Sequence, residues 1–444
     1  AHPHPAQPHP AARTDDRWWA EPRPLRGAQR GSDHQRSSVR PLRRPASGPA
    51  PRWRRGVRWA VGSIVVAHGL LHLLGAAQGL GWARVTALTQ PVSTPMGVGW
   101  LVAAALVIFA GVMLARSLRW WWVVSAVAAV ASQAVITTSW ADARAGTGVN
   151  AVLLVAAVYG YLSQGSRGLR REYRERVSTA LAGRQSPATE PDLIEHDLTG
   201  HHLTDHDVTE QDLASLPTLV AAYLRRTGAV GQPRIASFRA AIHGRIRGSE
   251  KQPWMAFTGE QVNTYGADSC RLFFIDASMR GVPVDVLHVF VGDAATMRVT
   301  VASAVSMVDA AGPEMDRGET VTVFNDLCVL APAALVDADV EWREVDPHRV
   351  RGIFTRRGQS VTADLLFDES GDLVDFVSDD RLAASANGKT FTARRWSTPL
   401  SCYRTIGGRR VAVDGEARWE GGDLGRAFTY IEFHIDEIAY NVSL

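Results

Sequence analysis

At 444 residues the chain is too long for one compact domain, and two ordered units plus tails is the natural division. Its net charge of +3 is unevenly spread: residues 1–56 hold twelve Arg against four acids, about +8, which leaves about −5 for the rest. Three widely spaced Cys (Cys270, Cys328, Cys402), with no CxxC or Cys/His ligand spacing, exclude a disulfide framework and a zinc knuckle; reduced thiols suit the cytoplasm.

Residues 1–56 are rich in Pro, Arg, His and Ser, with too few aliphatic side chains to offset the entropy of ordering. They read as a disordered tail. The His2-Pro3-His4-Pro5 and His9-Pro10 stretch reads as solvated rather than metal-binding. The segment lacks the apolar core and cleavage site of a signal peptide, and the start at Ala1 suggests a processed or shortened form. The Arg and Ala bias, with only Lys251 and Lys389 as lysines, points to a GC-rich, actinobacterial coding genome.

Four apolar runs follow, at roughly 59–82, 97–116, 120–140 and 147–163. Each approaches the ~20 residues a helix needs to cross a ~30 Å hydrocarbon core. The spacing predicts a four-helix transmembrane domain over 57–165. Arg52, Arg54, Arg55 and Arg58 precede it, Arg116 and Arg119 fill its second link, and Arg167, Arg170, Arg171, Arg174 and Arg176 follow it. The other two links carry only Arg84 and Arg144. The bias toward basic residues on the cytoplasmic side then places both termini inside, in the inner (plasma) membrane, among anionic lipid headgroups. Trp59, Trp82, Trp100, Trp120–Trp122 and Trp140 fall where interfacial aromatic belts belong.

Within the first run His68 and His72 lie four apart and share a helix face. Two such groups can relay protons or hold an ion, and equally can act as neutral interhelical hydrogen-bonding groups. Gly75-Ala-Ala-Gln-Gly79 is a close-packing pattern. Trp140, Asp142 and Asn150 border the third link, where they can line a polar site or simply anchor and cap.

Residues 166–214 read as a linker, helical at first, ending in a five-residue repeat from His196 to Ser215 that resembles a scrap of pentapeptide coil. Four copies are too few for a solenoid. A short helix follows, with Ser215 as N-cap, Pro217 in the first turn and Gly228 as the stop.

From there the hydrophobic period becomes two. Phe238, Ala240, Ile242 and Ile246 alternate with Arg239, His243 and Arg245, and Ile431, Phe433 and Ile435 alternate with Glu432 and His434. Similar runs lie near 254–265, 271–278, 283–291, 296–308, 340–345, 348–356, 361–368, 372–379, 389–396, 400–406 and 409–419, with turns at Asp368-Glu-Ser-Gly371 and Gly407-Gly408. The pattern predicts a β-rich domain over 215–444: a large curled antiparallel sheet, half-barrel-like, with few helices. One helical interruption near 317–337 would lay Phe324, Leu327, Val329, Leu330 and Leu335 into its concave face. The whole chain is thus membrane α followed by α+β.

Asp309, Glu314, Asp316 and Glu319 form an acidic group. Paired carboxylates can do acid–base work or bind a hard cation. The spacing matches no calcium loop, and a helix entrance favoured by its dipole explains it as well. No P-loop, dinucleotide fingerprint, serine elbow or HExxH occurs, so no cofactor or metal is signalled. Basic residues in the second half lack interleaved aromatics, so no nucleic-acid partner is expected.

The stretches His68-Gly-Leu-Leu-His-Leu-Leu-Gly75, Leu88-Thr-Gln-Pro-Val-Ser-Thr-Pro-Met-Gly97 and Ser139-Trp-Ala-Asp-Ala-Arg-Ala-Gly146 resemble a four-span bacterial membrane family without an assigned activity. The stretch from Leu216 to Gly231, the acidic 309–319 segment and Phe367-Asp-Glu-Ser-Gly371 resemble a bacterial domain of unknown function that often follows such spans. The strand count and single helical insertion are similar to the half-barrel of periplasmic lipoprotein carriers. That resemblance implies a concave apolar sheet that holds acyl chains, although those carriers work outside the cytoplasmic membrane and the arginines here predict inside. Fold does not fix function. Three readings follow: a membrane-anchored module binding a lipid or other apolar ligand, a membrane enzyme or transporter using His68 and His72, or a scaffold that recruits partners.

Overall fold

The computed structural model describes residues 52–165, 168–182, 206–385, 387–420 and 427–442. Most of the Arg/Pro-rich tail, Arg167 and the repeat residues 196–205 lie outside them.

Four helices are long and apolar enough to cross a membrane. They begin with α1 (Arg52–Gly79), α2 (Thr94–Arg116) and α3 (Trp121–Thr138). A single turn, α4 (Trp140–Ala143), then leads into the fourth, α5 (Gly146–Gln164). Glycines set the α1–α2 seam. A Cβ added to Gly79 would lie 2.6 Å from the Gly97 Cα, and one on Gly75 would lie 2.4 Å from the Trp100 ring, so the backbones meet as closely as the small-residue pattern implies. The outward surface is apolar: Leu71, Val130 and Val155 are 62%, 69% and 71% exposed.

Helix α6 (Leu169–Ala182) buries Leu169, Tyr173, Val177 and Leu181, a strict four-residue spacing, against Val262, Leu272, Phe274, Leu287 and Val289 of the sheet. Ion pairs Arg170–Asp276 and Glu172–Arg298 flank this contact. Two short helices precede the sheet, α7 (Glu210–Leu213) and α8 (Thr218–Arg226). Here local expectations fail. The last repeat unit turns into α7, because Thr209 and Asp212 form a reciprocal capping box. Ser215 caps nothing; Pro217 is the N-cap of α8, and Gly228 beyond its end takes φ +73°.

The first arm of the sheet runs β1 (Ser237–Ile246), β2 (Met255–Thr264), β3 (Cys270–Met279), β4 (Val282–Val291), β5 (Ala294–Val301) and β6 (Val305–Ala311). Helix α9 (Pro313–Val329) and a 3-10 turn (Pro332–Asp337) follow. The second arm has β7 (Val340–Asp346), β8 (Arg349–Arg356), β9 (Gln359–Phe367) and β10 (Leu373–Ser378). A small hairpin, β11 (Leu382–Ala384) and β12 (Phe391–Ala393), precedes β13 (Trp396–Ser397), β14 (Leu400–Ile406), β15 (Arg409–Trp419) and β16 (Phe428–Tyr440). The main sheet has 14 strands in the order β6-β5-β4-β3-β2-β1-β16-β15-β13-β10-β9-β8-β7, with β14 on β15, and does not close. Residues 296–308, expected as one strand, are two, because Ala302 and Ser303 make a tight turn at φ +52° and +53°.

The edge strands β6 and β7 are joined through α9. In a flat sheet β5 and β9 would lie nine strands, roughly 43 Å, apart. One helix about 10 Å wide touches both, so the sheet curls around it. Phe324, Leu327, Val329, Leu330 and Leu335 are buried in this core. A clamp holds the second arm to α8: Asp372 accepts from Arg226 (Nε 3.0 Å, Nη2 3.1 Å) and from Arg410 (Nη2 2.7 Å). Burial alone would raise Asp372, but Arg410 and Arg226 hold it down at about 2.

Candidate functional site

Every residue of α9 from Gly318 to Val329 is buried, yet Glu319, Thr322, Asn325 and Asp326 are among them. Spacings of three and seven put Glu319, Thr322 and Asp326 on one helix face. That face meets polar side chains on the inner face of the sheet. Arg271 reaches both acids, Nη1 donating to Glu319 Oε2 at 2.8 Å and Nε to Asp326 Oδ2 at 2.7 Å. Gln261 Nε2 (2.7 Å) and Asn263 Nδ2 (2.9 Å) donate to the same Asp326 oxygen. Three donors on one oxygen is the pattern of an ionised carboxylate. His288 Nδ1 lies 3.2 Å and Arg381 Nη2 3.8 Å from Glu319 Oε1. Arg381 also donates to Thr322 Oγ1 at 3.2 Å and lies over the Trp396 ring.

Burial raises both carboxylates. At Glu319 the Arg271 guanidinium, then His288, outweighs it and holds the acid well below its ordinary range. At Asp326 burial prevails over Arg271 and pushes the acid upward. Arg271 and Arg381 thus set two guanidinium groups against the two carboxylates.

Beside this polar wall lies a cavity of about 120 Å³. Ile242, Ile246, Phe257, Ile275, Ile431 and Phe433 of the sheet line its other side. The lining thus combines apolar side chains with polar groups of both the sheet (Gln261, Arg271, His288) and α9 (Thr322, Asn325, Asp326).

Of the acids expected to matter, only Glu319 enters this network. Asp316 lies in the first turn of α9 and accepts from Ala295 N at 2.6 Å, while Glu314 is exposed beside Asp309 and Lys389. Arg271, His288, Gln261, Asn263, Asp326 and Arg381 were not anticipated. Four had a legible signal: Gln261, Asn263, Arg271 and His288 occupy inward positions of the period-two pattern, where Phe257, Ile275 and Val286 set an apolar rule.

The bundle buries a second network. His72 Nδ1 lies 3.1 Å from the His68 carbonyl, which only accepts, so Nδ1 carries the proton and Nε2 accepts from Ser132 Oγ at 2.8 Å. His68 Nε2 is 3.3 Å from both Ser132 Oγ and Asn150 Oδ1. Asn150 Nδ2 then donates to Gln133 Oε1 at 3.0 Å, and Gln133 Nε2 to Thr147 Oγ1 at 3.2 Å. The structure so brings His68, His72 and Asn150 together through Ser132, which the sequence reading passed over. Asp142 is not with them. It holds the α1–α2 link, accepting from Thr89 Oγ1 (2.6 Å), Thr89 N (2.8 Å) and Gln90 N (3.1 Å), and Thr89, then Gln90, keeps its carboxyl below the ordinary range.

Among solved structures, a DUF1329 family protein from Desulfovibrio piger ATCC 29098 aligns over 54% of this chain and 95% of its own, at 11% identity and a TM-score of 0.31. A domain assigned as an outer membrane lipoprotein-sorting protein from Vibrio parahaemolyticus aligns over 47% and 87%, at 9% identity and a TM-score of 0.28. Likeness this distant says nothing about ligand or activity. No curated protein is significantly similar to the chain. A family model, the family of unknown function DUF6544, matches residues 206–433, and the chain belongs to that family.

Proposed function

We propose that this chain is a multi-pass protein of a bacterial inner membrane, with both termini cytoplasmic, whose curled sheet binds a lipid or other apolar ligand. The membrane domain would cover 57–165 and the binding domain 215–444. Support for the anchor is the length of the four helices and their apolar exposed surface, which in water would be a liability. Support for the ligand is one observation above all: a packed core retains a cavity between α9 and the sheet, lined mainly by apolar side chains with a few polar groups among them.

Functional ligand sites usually run to ~300 Å³ or more, so α9 would shift to admit a whole acyl chain. The test is native mass spectrometry of the full chain extracted from its own membranes. We expect a lipid-sized adduct at one per chain, lost in Ile242→Trp, which fills the cavity. A wild-type protein without such an adduct, or an adduct equally present in Ile242→Trp, would overturn the reading.

A further inference from the structure

The outer face of the sheet carries a second constellation, away from the cavity. Strands β1, β16 and β15 are neighbours, and their register places His243 directly opposite His434, and His434 directly opposite Asp414. Residues flanking His243 in sequence, Ile242 and Gly244, follow the inward phase, so His243 faces out. A register shift opposite Ala241 and Ile242 brings Asp436 beside it. His243 Nδ1 lies 2.8 and 2.9 Å from the two Asp436 oxygens, and His434 Nδ1 lies 2.5 Å from Asp414 Oδ1. The two rings are 5.1 Å apart, inclined at 51°.

Each carboxylate fixes its imidazole with the proton on Nδ1 and leaves the Nε2 lone pair available. Neither Nε2 has a hydrogen-bond partner among the described residues. A histidine that ligates a metal characteristically donates its other ring nitrogen to a carboxylate. Two imidazoles sharing one tetrahedral ion at Zn–N ~2.0–2.1 Å have centroids about 5 Å apart, which is the separation here. Charge agrees: Arg245 pairs with Glu432 and Arg418 with Glu416, so Asp414 and Asp436 remain to balance a dication.

We propose that His243 and His434 ligate a divalent transition metal of the zinc or copper type through Nε2, with Asp436 and Asp414 as positioning residues. Among the described residues no group of three or more His, Cys, Asp or Glu gathers for a metal. The site therefore supplies two protein ligands and leaves the remaining positions to solvent or an incoming donor. It is independent of the lipid-binding reading.

Zn²⁺ titrated calorimetrically into the full chain in detergent tests the proposal, with Cu²⁺ electron paramagnetic resonance to count nitrogen ligands. The expected result is a site with two-nitrogen hyperfine structure that weakens at least tenfold in His243→Gln and in His434→Gln. Asp414→Asn and Asp436→Asn should each weaken it about tenfold or more. All four positions are at the surface or half-buried, so unchanged thermal unfolding separates lost binding from lost fold. No binding, or equal binding by wild type and the His243→Gln/His434→Gln double variant, would overturn it; the second outcome assigns the metal to other histidines of the chain, such as His2, His4 and His9.

Discussion

In the bundle, His68, His72, Ser132, Gln133 and Asn150 join three helices through neutral donors and acceptors. On α9, Glu319 and Asp326 meet Arg271 and Arg381 as full charges. Both networks are buried, but burial costs differ. A neutral hydroxyl or amide loses a few kcal/mol when desolvated without a partner, whereas an ion loses far more. The bundle uses groups whose mutual bonds are each worth about 0.6–2 kcal/mol, enough to fix helix register. The sheet holds its plug with groups that are tolerable only while all of them are present. Loss of one partner should therefore cost less in the first network than in the second.

The largest effect should come from breaking the charged set on one side. Glu319→Ala or Asp326→Ala leaves Arg271 buried and under-paired and should cost about 3–5 kcal/mol, measured by thermal or denaturant unfolding of the full chain in detergent. Replacing Arg271, Arg381, Glu319 and Asp326 together with apolar side chains of similar length, which removes the charges of both signs, should recover part of that loss. Ser132→Ala should cost less, about 0.6–2 kcal/mol. Should Ser132→Ala match Glu319→Ala, the two networks are of one kind and the contrast collapses.

Acid separates the charged groups further. Glu319 is depressed in the folded state, so its stabilisation is complete above the ordinary Glu pKa and is lost as pH falls below it. Asp372, at about 2, behaves alike below the ordinary Asp value. Asp375 is the reverse: burial raises it to about 6, so the folded state holds its proton more tightly and stability falls as pH rises from about 4 to 6. Asp375→Asn should therefore flatten the stability profile in that window while leaving the loss at lower pH intact. The smallest effect concerns the β5–β6 turn. Ala302→Gly relieves a left-handed residue and should stabilise by about 0.5–1 kcal/mol.

Much of this was legible in the residues. Apolar length alone marked the four helices, and a period of two marked most strands, because each buries one face only. The turn at Ala302-Ser303 escaped because neither residue advertises a positive φ, and the reach of Thr209 to Asp212 outweighed an apparent repeat. For the site, the acidic run led to Glu319 but not to Asp326, whose neighbours Asn325 and Leu327 read as an ordinary helix. Arg271 and His288 broke the inward apolar phase of their strands, yet their shared target sits on a helix 30–55 residues away and emerges only when the sheet curls.

The central claim is that the cavity between α9 and the sheet takes an apolar ligand. Photo-crosslinking of the full chain in its membranes with a diazirine-bearing acyl lipid tests it most directly. Labelling of peptides holding Ile242, Ile246, Ile431 and Phe433, abolished by Ile242→Trp, is the result expected. Labelling confined to α1, α2, α3 and α5 would contradict it.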